Sequence, residues 1–316
     1  MEGDIPNIAV STGAADSLEC LLLRMGVDAS EYTGDPAGAG RIHIFTGGDS
    51  MDGLGGAVTN PASKQSYQYL WNTDANMEAF DVVLLSCEGS PTSYLSDAGR
   101  TVLSDYTNNG GRVFASHYHY AWFTPTGPFS TVSPPLATWQ TSTNGFVGTD
   151  QTVPYNGDIV TTLTNGMPFP EGAAMKMWLG NVGALTNGLL PIYYSRDNAT
   201  VTAANTHSQP WVTLDPSTPA PNAAQYFSFD TPIGTPAAEQ CGRIVYSDLH
   251  VSGGAGSQDE PGIMPDYPGF TSGGLVPDGC DMHDLTPQEK ALEFMIFDLS
   301  SCLTPVGQVP PPPTPE

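Results

Sequence analysis

Two histidines separated by one residue, His117 and His119, follow a short apolar segment of the chain. If that segment is extended, both side chains point to the same side, and the two imidazoles can share one divalent metal ion. His250 follows a second apolar segment and is the predicted third ligand. Asp248 is the candidate carboxylate ligand beside it, with Glu88 or His283 as further candidates. Three protein ligands and one open position are typical of metal sites that activate water for hydrolysis.

Carboxylates near these histidines allow a second chemistry that needs no metal. Glu88 and Asp248 each follow an apolar segment, as His117 and His250 do. His117 would then be a general base, oriented by Glu88 or Asp248, that acts on a bound hydroxyl group or water. The predicted catalytic residues are therefore His117, His250, Glu88 and Asp248. The alternative is a structural role, with the histidines hydrogen-bonded inside an aromatic pocket.

Aromatic residues surround the first histidine pair in the sequence. Tyr118, Tyr120 and Trp122 would form a stacking surface for a sugar ring. Asp49, which follows an earlier apolar segment, is the fourth predicted substrate-binding residue. Ordinary packing in the core is the alternative for the aromatic side chains.

The elements that must position these residues alternate between strands and helices. The predicted strands are 8–12, 41–45, 81–86, 112–116 and 242–247, and the predicted helices are 18–25, 62–80 and 93–107. A last helix begins at Thr286, with Pro287 in its first turn and Glu289 completing a capping box. This alternation predicts an α/β fold with a mainly parallel sheet, in which ligands bind at the carboxyl ends of the strands.

Residues 123–240 have a different character, because Pro, Thr, Asn and Gly dominate there. Short β-like segments at 190–194, 211–214 and 225–229 predict a β-rich, antiparallel extension of the same sheet. Within it, Asn198-Ala-Thr200 matches a glycosylation pattern that matters only in a eukaryotic host. We therefore predict one domain over 5–303 and a proline-rich tail or linker over 304–316.

Two of these segments carry a family resemblance. The strand at 81–86, the following helix and Gly110-Gly111-Arg-Val-Phe-Ala-Ser-His117 resemble the ThuA-like branch of the class I glutamine amidotransferase-like superfamily, as does the late segment 242–250. The resemblance implies a flavodoxin-like, three-layer α/β/α fold and, through ThuA-like proteins, a link to sugar metabolism. Amidotransferases have a nucleophilic cysteine in a sharp turn where this chain has His117. The resemblance therefore implies a secreted bacterial member of the branch that does not hydrolyse glutamine.

The composition limits the classes of partner that the protein is expected to bind. The formal net charge is −24, from 33 acidic and 9 basic residues, which disfavours nucleic acid and anionic lipid. The sequence contains no run of 18 apolar residues, so it predicts no membrane span. Few basic residues and many small polar ones are typical of extracellular bacterial proteins. The first residues do not form a signal peptide, so we expect an export signal to have been removed.

Five cysteines leave at least one thiol outside any internal disulfide. Predicted positions in the sheet and last helix pair Cys241 with Cys302 and Cys87 with Cys280, and leave Cys20 as a buried thiol. The predicted cofactor is a divalent metal, either zinc at the histidines or calcium at the acidic residues of 259–284. The latter segment has no EF-hand pattern, and a solvated charged loop is the favoured alternative there. The predicted function is a secreted hydrolase or lyase that acts on a carbohydrate or a cell-surface polymer. A non-catalytic binding or adhesion module of a larger protein is the alternative.

Overall fold

The computed structural model describes residues 5–13, 16–47, 65–89, 91, 95–148, 153–251, 280 and 282–301. Asp49, Cys302 and most of the acidic segment at 259–284 lie outside these ranges. The predictions that concern Asp49 and the acidic segment stay predictions.

The described residues form twelve strands and five α-helices. The strands are β1 (Ile8–Ser11), β2 (Tyr32–Thr33), β3 (Ile42–Phe45), β4 (Val82–Leu85), β5 (Arg112–Ser116), β6 (Thr138–Trp139), β7 (Tyr155–Ile159), β8 (Leu190–Ile192), β9 (Ala199–Thr200), β10 (Gln209–Leu214), β11 (Ala224–Thr231) and β12 (Gly242–Ser247). The helices are α1 (Leu18–Arg24), α2 (Asp74–Met77), α3 (Asp97–Asn108), α4 (Pro170–Asn181) and α5 (Pro287–Ser300).

Ten strands form one mixed sheet, in the order β2-β3-β1-β4-β5-β12-β11-β10-β7-β8. The six strands from β2 to β12 are parallel, and β11, β10, β7 and β8 continue the sheet in antiparallel pairs. The predicted α/β fold with a mainly parallel sheet is therefore confirmed. Of the β-rich segment, β7, β8, β10 and β11 belong to the same sheet, whereas β6 and β9 pair with each other in a separate two-stranded sheet.

Two apolar cores, one on each face of this sheet, explain why the central strands are continuously hydrophobic. Successive side chains of a strand alternate between faces. Val82 and Leu84 of β4 pack on the face that carries α1 and α5, whereas Val83 and Leu85 pack on the face that carries α3. Because helices cover both faces, neither side of these parallel strands needs polar residues.

The last helix begins as its sequence predicts. The Thr286 hydroxyl accepts a hydrogen bond from the Glu289 N–H at 3.2 Å, and the Glu289 carboxylate accepts one from the Thr286 N–H at 2.7 Å. Pro287 occupies the first helical position, where its missing N–H costs no hydrogen bond.

Two helices differ from the sequence pattern. In place of a continuous helix over 62–80, the described part has a 3₁₀ turn at Tyr67–Tyr69 and the single turn of α2, because Thr73 caps a new start by accepting the Asn76 N–H. Helix α4 lies in the segment expected to be β-rich. Its apolar residues do not form one stripe, since Met175 is buried while Met177 is 67% exposed, so helical periodicity was hidden.

The predicted disulfide pairs are wrong. Cys280 is bonded to Cys20 on α1, so Cys20 is not a lone thiol, and Cys87 is free and buried. The segment before α5 lies against α1 rather than over the end of β4. Cys241 is a free, exposed thiol that faces the Asn108 carbonyl at the end of α3, so its predicted bond to Cys302 is not formed.

Candidate functional site

Three neighbouring strands deliver the central residues of the site. Cys87 follows β4, His117 follows β5 directly, and His250 follows β12. Because β4, β5 and β12 are adjacent and parallel, their carboxyl ends lie side by side at one edge of the sheet. The prediction that His117 and His250 converge at this edge is confirmed. Cys87, which the sequence suggested as a disulfide partner, joins them.

The three side chains present their donor atoms to one another. His117 Nδ1 lies 3.7 Å from Cys87 Sγ and 3.1 Å from His250 Nε2. All three atoms lie within 4.8 Å of one another, and all three residues are buried. Among the described residues, this is the one group of His, Cys, Asp or Glu whose geometry fits a metal ion.

His117 lies in a strained turn between β5 and a 3₁₀ helix at His117–Trp122. Its φ of 35° is in the left-handed region, which costs a non-glycine residue about 1–3 kcal/mol. The Tyr246 hydroxyl donates a hydrogen bond to the His117 carbonyl at 2.9 Å and so supports the turn. The strain is located at the residue whose ring is in the centre of the cluster.

Asn198 fixes the tautomer of His117. The Asn198 amide nitrogen donates to the carbonyls of Gln140 at 2.6 Å and Thr143 at 3.1 Å, so its oxygen faces His117. His117 Nε2 lies 3.0 Å from that oxygen and must be the protonated nitrogen. The Nδ1 lone pair is therefore directed at Cys87 and His250. A Cβ at Gly145, whose φ is +69°, would lie 2.0 Å from the same oxygen, so this amide needs a glycine beside it.

Burial sets the protonation of the cluster. It lowers the pKa of His117 to about 3, with a further contribution from the Arg196 cation, so the imidazole is neutral near pH 7. Burial also raises the pKa of Cys87 to about 12, and the Asp16 carboxylate adds to this. Backbone N–H groups of Tyr118 and Gly89 act in the opposite direction. Without a cation, Cys87 is a neutral thiol.

Asp248 holds the Asn198 segment and is not a member of the cluster. It is fully buried, one carboxyl oxygen lies 2.9 Å from the Tyr246 hydroxyl, and the other accepts a hydrogen bond from the Ala199 N–H at 3.2 Å. Burial raises the pKa of Asp248 to about 7. Its position behind Asn198 places it outside the three-residue cluster, and its predicted catalytic role stays a prediction.

The prediction that His119 shares a metal with His117 is wrong. Residues 117–122 form a 3₁₀ helix, so side chains two apart do not point to the same side. His119 Nε2 donates to the Ser86 carbonyl at 2.8 Å, and its Nδ1 accepts the Trp122 indole N–H at 3.0 Å. Both ring nitrogens are engaged in the core, and burial lowers the pKa of His119 to about 4.

The remaining predicted residues occupy different environments. Glu88 is buried next to Cys87 but is not part of the three-residue cluster. Trp122 is fully buried and packs on Trp71, and Tyr120 is 4% exposed, so the predicted stacking surface is largely core. Tyr118 alone of the three is half-buried, and its ring centroid lies 4.0 Å from that of His117. His283 lies near Glu289 at the start of α5.

Asp16 is a supporting residue that the sequence did not reveal. Its carboxylate accepts a hydrogen bond from the Ser116 hydroxyl and another from the Val251 N–H at 2.9 Å. Ser116 and Val251 are the chain neighbours of His117 and His250. Asp16 therefore ties together the two backbone segments that carry the imidazoles, although a single Asp before a helix has no sequence signal for this role.

Comparisons with known proteins add no family to this picture. No helix among the described residues has the length and apolar character needed to cross a membrane. No protein-family model matches the chain, and a search of curated proteins finds no match to it. The ThuA-like resemblance therefore stays a prediction, and the functional argument depends on the Cys87, His117 and His250 cluster.

Proposed function

We propose that this chain is an exported hydrolase or lyase whose catalytic centre is a zinc ion bound by Cys87, His117 and His250. The observation that carries the proposal is the spacing of their donor atoms. Tetrahedral zinc, with Zn–S of about 2.3 Å and Zn–N of about 2.0–2.1 Å, holds S and N about 3.6 Å apart and two N about 3.3 Å apart. The corresponding separations here are 3.7 and 3.1 Å.

The donor set favours zinc over calcium. Calcium binds oxygen ligands, usually six to eight, whereas one thiolate and two imidazoles are ligands typical of zinc. Asn198 adds the outer-shell hydrogen bond that metal-bound histidines usually make, since it holds the second ring nitrogen of His117. A divalent cation would also stabilise the Cys87 thiolate, which burial otherwise disfavours.

Three protein ligands and an open fourth position are the arrangement of catalytic rather than structural zinc. Zinc bound in this way lowers the pKa of a coordinated water to about 7. Tyr118, half-buried against the His117 ring, would contact a substrate that approaches this position. We propose a carbohydrate or related cell-surface polymer as the substrate class, which agrees with the net charge of −24 and with the ThuA-like resemblance.

Export is part of the proposal. The Cys20–Cys280 disulfide supports an oxidising compartment, because such bonds are rare in the cytosol of most organisms.

A thiol hydrolase is the second candidate, and one observation favours it. Cys87, His117 and Asn198 are in contact in the order of a Cys-His-Asn triad, with sulfur 3.7 Å from Nδ1 and Nε2 3.0 Å from the amide oxygen. The raised pKa of Cys87 and the position of His250 at the same lone pair favour zinc.

The test is the metal content of protein purified without a metal-affinity tag, together with the spectrum of the cobalt-substituted protein. We expect about one zinc per chain, lost in His117→Ala and His250→Ala and retained in His207→Ala, a control histidine that is not in the cluster. Cobalt should give a thiolate charge-transfer band that is absent in Cys87→Ser.

A protein that neither contains nor takes up zinc would refute the metal centre. Alkylation of Cys87 that abolishes hydrolysis by this metal-free protein would then support the thiol candidate. If the protein binds zinc but hydrolyses no polymer in a glycan screen, the result would support the metal site and refute the proposed catalytic function.

A further inference from the structure

A polar cavity of about 480 Å³ lies at the edge of the sheet opposite the zinc cluster. It is bounded by the start of β10, the end of β11 and the turns at 163–165 and 234–240. The amino end of β12 is on this side, whereas His250 follows its carboxyl end. The volume is within the range of about 300–1,000 Å³ that is usual for small-molecule sites.

Neutral hydrogen-bonding side chains dominate the lining of this cavity. Hydroxyl and amide groups come from Thr164, Asn165, Thr206, Ser208, Thr235 and Gln240. The one acidic residue in the lining, Asp230, is already paired with Arg243 through hydrogen bonds of 2.7 and 3.2 Å. The cavity therefore offers mainly neutral donors and acceptors. Its one carboxylate is bound to Arg243, which also binds Asp298, and His207 is its one imidazole.

The Ser208 hydroxyl, in the wall of this cavity, lacks a hydrogen-bond partner among the described residues. Ser208 is only 5% exposed. Buried hydroxyl groups are almost always hydrogen-bonded, so an orphan at the wall of a cavity indicates that a ligand or water supplies the bond. Ser228, also in the lining, accepts the Trp211 indole N–H at 2.8 Å, which orients its own proton away from that indole.

A second cavity at the same edge gives a useful contrast. It has a volume of about 570 Å³, and Glu78, Asp81 and Arg112 are in its lining. An ionic ligand would find charged partners there. The cavity at Ser208 has the composition expected for a ligand that is rich in hydroxyl groups and carries no charge.

We propose that the cavity at Ser208 binds a neutral sugar unit, of one or two residues, at a site separate from the zinc cluster. Hydroxyl and amide groups on the protein match the many hydroxyl groups of such a ligand, and Ser208 supplies a donor and acceptor in the wall. The site would hold a neutral glycan on the protein whether or not that glycan is the substrate of the zinc centre.

The test is calorimetric titration with maltose, cellobiose and N,N′-diacetylchitobiose, with glucose 6-phosphate as the anionic comparison. We expect at least one neutral sugar to bind and the phosphate to bind no better. Ala237→Trp should fill the cavity and weaken that sugar at least tenfold. Its neighbour Ala238, which is also exposed but does not line the cavity, supplies the control Ala238→Trp.

Ser208→Ala should weaken the same sugar about threefold to tenfold, as expected for one lost hydrogen bond. The proposal is overturned if none of the three sugars binds, or if Ala237→Trp binds as the wild type does. Zinc content, measured on the same samples, should not change in either variant, so a failure of this site is distinct from a failure of the zinc centre.

Discussion

Replacement of Asn198 by Ala is the sharpest test of how the cluster is organised. The change removes the acceptor of the His117 Nε2–H, now at 3.0 Å, in a place where His117 has no exposure to water. A buried donor without a partner costs about 1–3 kcal/mol. The free imidazole can avoid this cost by changing its tautomer, which moves the proton to Nδ1 and blocks the lone pair that faces the metal position.

Zinc affinity should therefore fall by about 10–100-fold, the range typical of a lost outer-shell partner. That range corresponds to about 1.4–2.7 kcal/mol, which agrees with the cost of the unpaired donor. The measurement is competition for zinc with a chromophoric chelator, on wild type and variant at the same pH.

Asn205→Ala is the matched control. Asn205 is also a buried asparagine, 2% exposed, and its amide holds a turn by bonding the Pro135 carbonyl and the Thr202 N–H, each at 2.9 Å. It should lose stability as Asn198→Ala does, but keep its zinc affinity. Equal zinc affinity in wild type and Asn198→Ala would refute the claim that Asn198 directs His117 Nδ1 to the metal.

Two further predictions concern pH and the disulfide. Between about pH 4 and 6.5, unfolding of the metal-free protein should take up two protons, at His117 and His119, because their pKa values are lowered to about 3 and 4 in the folded protein. Unfolding should also release one proton from Asp248, because its pKa is raised to about 7 in the folded protein. Since these groups take up about one net proton, the stability that they contribute should fall as the pH falls through this window, and Asp248→Asn should steepen the fall in urea titrations; an unchanged slope would contradict the assigned shift. Cys20→Ser should lower the free energy of unfolding by about 2–5 kcal/mol by opening the bond to Cys280, whereas Cys241→Ser, at an exposed free thiol, should leave it unchanged.

The parallel half of the fold could be predicted from sequence because its signals are local. Continuous apolar strands such as 82–85, the alternation with helices and the capping box at Thr286 each depend on neighbouring residues. The rule that parallel strands present their carboxyl ends at one edge then brought His117 and His250 together correctly. The same rule places Cys87 at this edge, but its predicted pairing with Cys280 concealed that it lies beside the two imidazoles.

The rest could not be predicted because it depends on non-local contacts or on a change of backbone conformation. His119 lies outside the cluster because the chain forms a 3₁₀ helix from His117 onward. No residue type at that point predicts this turn. Asn198 contacts His117 across 81 residues, and Cys20 bonds to Cys280 across 260. Such pairs are set by how the helices and the β-rich segment lie on the sheet, which a single sequence does not encode in any short pattern.

At β12 the pairing in the sheet changes from parallel to antiparallel, and residues from both parts of the chain meet at the site. β12 is parallel to β5 but antiparallel to β11, so the strands beyond it begin or end at the edge where His117 lies. The extension uses this geometry to return Asn198 to the ring of His117 and Ala199 to the carboxylate of Asp248. The parallel strands thus supply the three proposed ligands, while the segment 123–240 supplies Asn198, which orients His117. A chain reduced to its parallel half would keep Cys87, His117 and His250 but lose the bond that directs Nδ1 of His117 to the proposed metal position.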